Sequence, residues 1–159
     1  MDTCNQLVQQ ALTVFSGPEG INGQLASIGT SNPLAPLHGI LRLSAALDNY
    51  EKAAPLRYPA ATVYLQKIKN NQTERFRLFS GTGTLVIEIR VSGDRAEELE
   101  ATLNSYVQAT CQVLESSRGA WTEVGTYAGG YEVKFQPLRP GGRQFIKSAQ
   151  IEFEIQINR

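Results

Sequence analysis

The residues that most often carry acid-base or nucleophilic catalysis are scarce in this sequence and poorly spaced for it. The one histidine, His38, falls in a proline-bounded loop, and Cys111 lies in a helical pattern with no histidine near it in sequence. Cys4 and Cys111 are far apart, which favours free buried thiols over a disulfide framework. No cluster of His, Cys, Asp or Glu has the spacing of metal ligands. We therefore predict no enzyme activity, no metal site and no cofactor.

A glycine-rich run, Gly81-Thr82-Gly83-Thr84, invites comparison with phosphate-binding loops. Such loops hold phosphate at the N-terminus of a helix, where backbone N–H groups are unpaired. This run precedes a strand pattern instead of a helix pattern. The sequence therefore predicts an ordinary turn at this position, without a phosphate site.

A short basic segment near the C-terminus is the other place where chemistry is suggested. The stretch 137–143 contains two prolines, two glycines and two arginines, which is typical of the connection in a β-hairpin. Arg139 and Arg143, with Gly141 and Gly142 between them, concentrate positive charge that can contact phosphate or an acidic partner. A solvated hairpin end explains the same residues, and the sequence leaves both readings open.

The chain as a whole has 159 residues, of which 15 are basic and 15 are acidic. This length is typical of one domain with one core. The balanced charge excludes a general electrostatic attraction to nucleic acid or to an anionic membrane. We expect no secretion signal, because the sequence opens with neither a basic start nor an apolar run, and we find no run of the roughly 20 apolar residues that span a bilayer. We expect a protein made in the cytoplasm that has no membrane contact.

Two amphipathic helices are predicted from apolar residues at three- and four-residue spacing. The first covers residues 4–16, and the second begins after Asp94 and ends near Gly119. Asp94 and Glu97 have the spacing of a capping box, in which the two side chains satisfy backbone N–H groups at the helix start. The second helix is predicted to run for about six or seven turns.

Residues 17–57 separate the first helix from the remainder of the chain. Residues 17–36 are rich in glycine and proline and show no periodicity, which predicts a long irregular segment. That segment is either a binding arm that contacts a neighbouring subunit, with Asn32 and Pro33 as candidate contacts, or a mobile loop. Residues 40–53 fit a helix and a short strand about equally well.

Alternation of apolar and polar residues predicts the strands. An antiparallel sheet with one apolar face, covered by the two helices, buries every apolar stripe in a single core. We therefore predict an α+β fold: an antiparallel, about four-stranded sheet with two amphipathic helices packed on one face, together with long loop segments. The chain forms one domain, with its sheet-and-helix core in residues 58–157. The predicted strands lie within residues 61–78, 85–92, 131–136 and 149–157.

The opposite face of this predicted sheet is polar. The same alternation that directs apolar residues to the helices directs charged residues away from them, and cross-strand pairs of opposite sign contribute about 0.2–1 kcal/mol each. This face is either solvated, or lines a channel or meets another subunit. Its residues are Glu88, Arg90, Glu132, Lys134, Glu152 and Glu154.

Three short strings, combined with the order of elements, carry a resemblance to a known family. They are Tyr58-Pro59-Ala60-Ala61-Thr62-Val63, Tyr131-Glu132-Val133-Lys134-Phe135 and Ser148-Ala149-Gln150-Ile151-Glu152-Phe153-Glu154-Ile155. A long helix follows the strongest strand. In this layout, residues 58–157 resemble the tail terminator proteins of tailed bacteriophages and their neck-region relatives.

The resemblance implies a homo-oligomeric ring, typically of six subunits, located in the virion at the junction of tail and neck. Such a ring sits on the last ring of the tail tube protein, stops tube growth and offers a surface to neck or connector proteins. DNA passes through the centre only as cargo, and the balanced charge suits this because a strongly basic lumen would hold phosphates. The protein would be made in the host cytoplasm.

A closed ring needs heterologous interfaces, in which one patch meets a different patch on the next copy. Residues 17–57 and the hairpin from Arg139 to Arg143 are the candidates for those patches or for the tail contact. Two other readings remain. One is another neck connector or head-completion protein, and the other is a small ligand-binding or enzymatic α+β domain with a pocket between the sheet and residues 17–57.

Overall fold

The computed structural model describes residues 3–28, 34–42, 57–72, 75–76, 78–123 and 125–159. Within them lie three helices and seven strands. The helices are α1 (Thr3–Ser16), α2 (Ile21–Ser27) and α3 (Ala96–Ser116). The strands are β1 (Ile40–Arg42), β2 (Ala60–Asn70), β3 (Ser80–Gly93), β4 (Gly119–Ala120), β5 (Gly125–Phe135), β6 (Arg139–Gly141) and β7 (Gln144–Asn158).

The strands form one curled, mixed sheet in the order β1-β2-β3-β7-β5-β4, with β6 also paired to β7. β1 runs parallel to β2, and the other pairs are antiparallel. The prediction of an antiparallel sheet of about four strands is therefore wrong. The three additional strands have only two or three residues each; β4 and β6 were missed, and β1 lies where a short strand was one of two alternatives. A two-residue period cannot be recognised over so short a stretch, and the parallel pairing of β1 depends on contacts distant in sequence.

The glycine-rich run at residues 81–84 is part of β3, so the predicted turn is also wrong. Glycine is required there because neighbouring atoms approach very closely. A Cβ on Gly81 would lie 1.7 Å from the carbonyl oxygen of Lys69. A Cβ on Gly83 would lie 3.2 Å from methyl carbons of both Leu7 and Ile157. The run thus allows α1 to pack closely against the central strands.

This close packing makes Gly83→Ala a test of the helix position. The added methyl group is expected to force α1 and β7 apart and to lower the free energy of unfolding by about 1–3 kcal/mol. Gly130→Ala is the matched control, because no atom lies within 4 Å of the position its Cβ would take. Urea unfolding monitored by circular dichroism measures both changes. Equal stabilities of the two variants would contradict the packing described.

The helices cover one face of the sheet, and the core lies between them. Phe153 of β7 is at its centre, with ring centroids 5.8 Å from Phe15, 5.5 Å from Trp121 and 5.7 Å from Tyr127. These are edge-to-face or tilted contacts, the arrangements that aromatic pairs prefer. Other fully buried residues on this face are Leu7, Ile21, Leu85, Ile87, Ile89, Leu103, Leu114, Ile151, Ile155 and Ile157.

The segment predicted to be irregular contains a helix, α2, which corrects the prediction for residues 17–36. Ile21 and Leu25 are buried in the core. The side-chain amide of Asn22 donates to the carbonyl oxygen of Leu37 at 3.2 Å and accepts from its N–H at 2.8 Å. A seven-residue helix is too short to show the helical period. Within residues 40–53, positions 40–42 form strand β1.

The start of α3 differs from the predicted capping box. Arg95, not Asp94, occupies the N-cap position, and it makes no side-chain capping bond. Arg95 instead forms an exposed ion pair with Glu98 at 2.9 Å. The acidic residues Glu97 and Glu98 lie in the first turn, where the helix dipole favours negative charge. The acidic residues therefore stabilise the start of α3 through the helix dipole and not through a capping box.

Tyr106 of α3 ties the segment before β1 to the core. Its hydroxyl donates to the carbonyl oxygen of Ala35, and its ring is 1% exposed. Burial raises the pKa of Tyr106 to about 12, from an ordinary value of 10.0. Because the folded protein favours the protonated phenol, this contribution to stability is complete below pH 10 and is lost as the pH rises through about 12.

We expect the free energy of unfolding to fall by about 2–3 kcal/mol on account of Tyr106 between these two pH values. Tyr106→Phe keeps the ring but cannot ionise, so it should lose less stability over the same range. Urea unfolding of both proteins at pH 8, 10 and 12 provides the comparison. Parallel stability profiles for the two proteins would show that Tyr106 ionises as freely in the folded state as in the unfolded one.

Candidate functional site

The charged residues predicted to share one sheet face do lie on the face opposite the helices. Strand register places Glu88 opposite Gln150, which in turn is opposite Lys134. Glu152 is likewise opposite Glu132, and Glu154 is opposite Thr84. Arg90 completes the set. We call these six residues, Glu88, Arg90, Glu132, Lys134, Glu152 and Glu154, the polar face.

Part of the polar face is buried, which the sequence did not indicate. Glu88 is 3% exposed and Arg90 is 6% exposed. The Arg90 Nε atom donates to the Glu88 Oε1 atom at 2.9 Å, and an Arg90 terminal nitrogen lies 2.9 Å from the same oxygen. Two charges removed from water in this way depend on each other, because each offsets part of the desolvation cost of the other.

The chain after β5 lines a cleft beside this buried pair. Pro137, Leu138 and Arg139 line the cleft together with Glu88 and Arg90, and its volume is about 380 Å³. Arg139 is half-buried there. The chain segment 137–139 thus lies beside two charged residues of β3 that are nearly inaccessible to water, on a face for which the sequence left solvation and contact with another subunit both open.

The predicted basic tip is a two-residue turn closing a short hairpin. Gly141 pairs with Gln144, which leaves Gly142 and Arg143 as the turn. Gly142 has φ +80°, a left-handed value that favours glycine at the first central position of such turns. Arg143 is exposed at the tip, whereas Arg139 lies at the base of the hairpin, in the cleft. Asn32 and Pro33, the other candidate contacts, lie outside the described residues.

The exposed half of the polar face carries compensating charges. The Lys134 ammonium lies 3.2 Å from Glu152 and 3.9 Å from Glu132. The hydrogen bond to Glu152 raises the pKa of Lys134. Burial raises the pKa of Tyr64, and the negative charges of Glu88 and Glu152 add to that effect. Lys134 therefore offsets part of the negative charge of Glu132 and Glu152, and the polar face, with four glutamates against Arg90 and Lys134, stays acidic.

Large apolar side chains in contact with solvent are the feature that the sequence analysis missed. Phe76 is 100% exposed and Leu78 is 83% exposed, in the connection between β2 and β3. We call these two residues the hairpin-end patch, named for that connection. Leu138 and Phe145 are also exposed, and we call them the C-terminal patch; Ile68 of β2 and Phe135 of β5, at the two edges of the sheet, are exposed as well. The position of Phe76 and Leu78 in a polar stretch is a sequence signal for apolar residues at the surface, but only the structure shows that they are exposed.

The two patches lie at opposite ends of the sheet. The hairpin-end patch is near Ser80, which pairs with Asn158, and the C-terminal patch is near Gly93, which pairs with Phe145. The 13 residue steps from Ser80 to Gly93 span about 40 Å at the usual rise per strand residue. The two patches of one chain are therefore too far apart to cover each other.

The residues considered for catalysis are scattered. His38 is exposed, and Cys4 and Cys111 are free and half-buried. Burial raises the pKa of the Cys111 thiol, which disfavours the reactive thiolate. In the described ranges, no three His, Cys, Asp or Glu side chains are grouped as metal ligands would be.

Among the helices that the structure describes, none combines the length and the apolar character needed to cross a bilayer. Neither a protein-family model nor a curated protein matches the chain.

Proposed function

We propose that this chain is a structural protein of a tailed-phage virion, a tail terminator. Its copies, six in the simplest case, close into a ring on the last ring of the tail tube and join the tube to the neck. DNA passes through the central opening. The observation that supports this proposal best is the pair of exposed apolar patches at opposite ends of one long sheet.

An exposed apolar patch on a folded protein usually marks a contact with another molecule. A joining ring needs two such contacts, one for each of the structures that it connects. If the copies stand side by side with their strands along the ring axis, every hairpin-end patch lies on one side of the ring and every C-terminal patch on the other. The ring then presents two chemically different surfaces about 40 Å apart.

The charge distribution agrees with a passage for DNA. Basic residues that are free to contact phosphate would hold DNA through the release of counterions. On the polar face, Arg90 is paired with Glu88, and Lys134 lies beside Glu132 and Glu152. The chain as a whole has no net charge. A surface of this kind allows DNA to slide past.

Native mass spectrometry of the purified protein tests the ring. We expect one closed species with six times the mass of one chain, independent of concentration above the assembly threshold. A twelvefold species would place the protein among the neck connectors nearer the portal. A strict monomer at every concentration would contradict the ring and would favour a small ligand-binding domain.

The two patches give a prediction about partner binding. The variant Phe76→Ser/Leu78→Ser should lose binding to one axial partner and leave the ring intact. The variant Leu138→Ser/Phe145→Ser should lose binding to the other axial partner. Because such anchors dominate interfaces, each double substitution should weaken its contact at least about 30-fold. Biolayer interferometry with the tail tube protein and with the neck protein measures both. Glu100→Ser, on the exposed side of α3, is the control.

The outcome that opposes this assignment is equally specific. If both double variants bind the tube and neck proteins as the unaltered protein does, the patches are not the axial contacts. If either variant dissociates the ring, its patch belongs to the contact between copies.

A further inference from the structure

Both long edges of the sheet are partly open in the part of the chain that the structure describes. β4 pairs only with Thr126 and Tyr127, so β5 has no outer neighbour strand from Tyr131 to Phe135. On the other edge, β1 covers β2 only up to Val63. Open edges present unpaired N–H and C=O groups that readily pair with another chain.

The two open edges have the directions needed to pair with each other. β2, β3, β7 and β5 are successive neighbours, and each is antiparallel to the next. After three reversals, β2 and β5 are antiparallel to each other. Two copies in the same orientation, side by side, therefore bring β2 of one antiparallel to β5 of the next. The edges are different, so the contact is heterologous and can close a ring.

We propose that the open part of β2 in one copy pairs with the outer edge of β5 in the next copy, joining the sheets into one continuous band around the ring. This inference rests on the ring of the proposed function and names the surface that forms it. The occupant of each edge is a second copy of this chain.

Apolar side chains at the two edges agree with this pairing. Ile68 of β2 is opposite Gly83, on the helix-covered side of the sheet, and is 37% exposed. Tyr131 and Phe135 of β5 are on the same side, because their partners in β7 are Phe153 and Ala149. They are 37% and 52% exposed. In the register proposed below, Ile68 of one copy lies directly opposite Tyr131 of the next, and pairing of the edges removes both side chains from water, while Phe135 lies four residues further along β5.

Charges on the other side of the sheet are complementary. Lys67 and Lys69 of β2 lie opposite Thr84 and Thr82, on the side of the polar face. Glu132 of β5 is on that side as well, opposite Glu152. Pairing of the two edges would therefore bring a lysine of β2 in one copy close to Glu132 of β5 in the next copy.

The charges also select the register. If Ile68 is opposite Tyr131, Lys67 is opposite Glu132, a favourable cross-strand pair. If the strands shift by two residues, so that Ile68 is opposite Val133, Lys67 is opposite Lys134, and like charges directly opposite each other destabilise a sheet. A shift of one residue would exchange the faces of every side chain. We propose the Ile68–Tyr131 register because it gives Lys67 an opposite charge as its cross-strand partner.

Exchange of the two charges tests the pairing. Lys67→Glu and Glu132→Lys, each alone, place like charges together and should raise the concentration needed for assembly about tenfold. The double variant Lys67→Glu/Glu132→Lys restores opposite charges and should assemble as the unaltered protein does. Glu100→Lys, which changes the charge equally on the outer side of α3, should have no effect. Failure of the double variant to recover assembly would oppose the proposed register.

Disulfide formation gives a second test that works on the assembled ring. Directly opposite residues in antiparallel strands have Cα atoms about 4.5–5.5 Å apart, within the range that a disulfide bridges. Oxidation of Lys67→Cys/Glu132→Cys should link at least half of the chains into ladders up to the full ring on a non-reducing gel. Lys67→Cys/Lys134→Cys, two residues out of register, should link less than a tenth as much. The unaltered protein, with its half-buried Cys4 and Cys111, should form no ladder.

The outcomes separate this inference from the proposed function. An intact ring in native mass spectrometry without ladders would overturn the edge pairing and leave the ring standing. A monomer under all conditions would overturn both.

Discussion

Phe153→Ala is expected to lower the free energy of unfolding by about 3–5 kcal/mol, the cost of removing a fully buried aromatic side chain. Phe153 is 1% exposed and contacts three other rings, from α1, from β5 and from the segment between β4 and β5. Its loss leaves a cavity where those elements meet. Since small domains are stable by only about 5–15 kcal/mol, the variant should be unfolded in part at moderate temperature.

Phe76→Ala is the matched control for this prediction. It deletes the same ring from a position that is fully exposed, so the free energy of unfolding should change by less than about 0.5 kcal/mol. Urea unfolding and calorimetry of both variants, with the protein kept dilute enough to remain unassembled, give the comparison. If Phe153→Ala is no less stable than Phe76→Ala, the aromatic cluster is not the centre of the core.

Arg90→Met is expected to destabilise the chain by about 3–5 kcal/mol, because it leaves the buried carboxylate of Glu88 without its charge partner. The methionine fills part of the space but cannot donate a hydrogen bond. Both residues are nearly inaccessible to water. The loss should therefore far exceed that from removing an exposed partner, such as Glu98 from its pair with Arg95.

The double variant Glu88→Leu/Arg90→Met provides the decisive comparison. With both charges gone, no buried charge is left unpaired, and stability should return to within about 1 kcal/mol of the unaltered protein or exceed it. A double-mutant cycle in urea measures the coupling. If Arg90→Met alone costs less than 1 kcal/mol, water reaches the pair and the cleft does not shield it.

Long elements could be predicted from the sequence, and short ones could not. β3 and β7 have 14 and 15 residues, so the alternation is repeated often enough to show which side chains share a face. β5 was recognised only in its second half, because its register shifts between Tyr127 and Tyr131 and interrupts the pattern. Strands of two or three residues are formed by contacts that no local pattern records.

The candidate site, like the fold, could be predicted from the sequence only in part. Alternation indicated which charged side chains share the polar face, but it could not show that Glu88 and Arg90 are buried, because the cleft beside them includes residues about 50 positions away in sequence. The exposed apolar patches were missed for the opposite reason. Whether Phe76 is covered or exposed depends on the tertiary structure around it, and its own neighbours in sequence do not determine this.

The central claim is that copies of this chain form a ring whose two sides carry different apolar patches. Electron cryo-microscopy of the assembled protein tests it most directly. We predict a closed ring with cyclic symmetry and a central opening, with Phe76 on one side and Phe145 on the other. A particle in which copies are related by twofold axes, so that identical patches face each other, would contradict the claim.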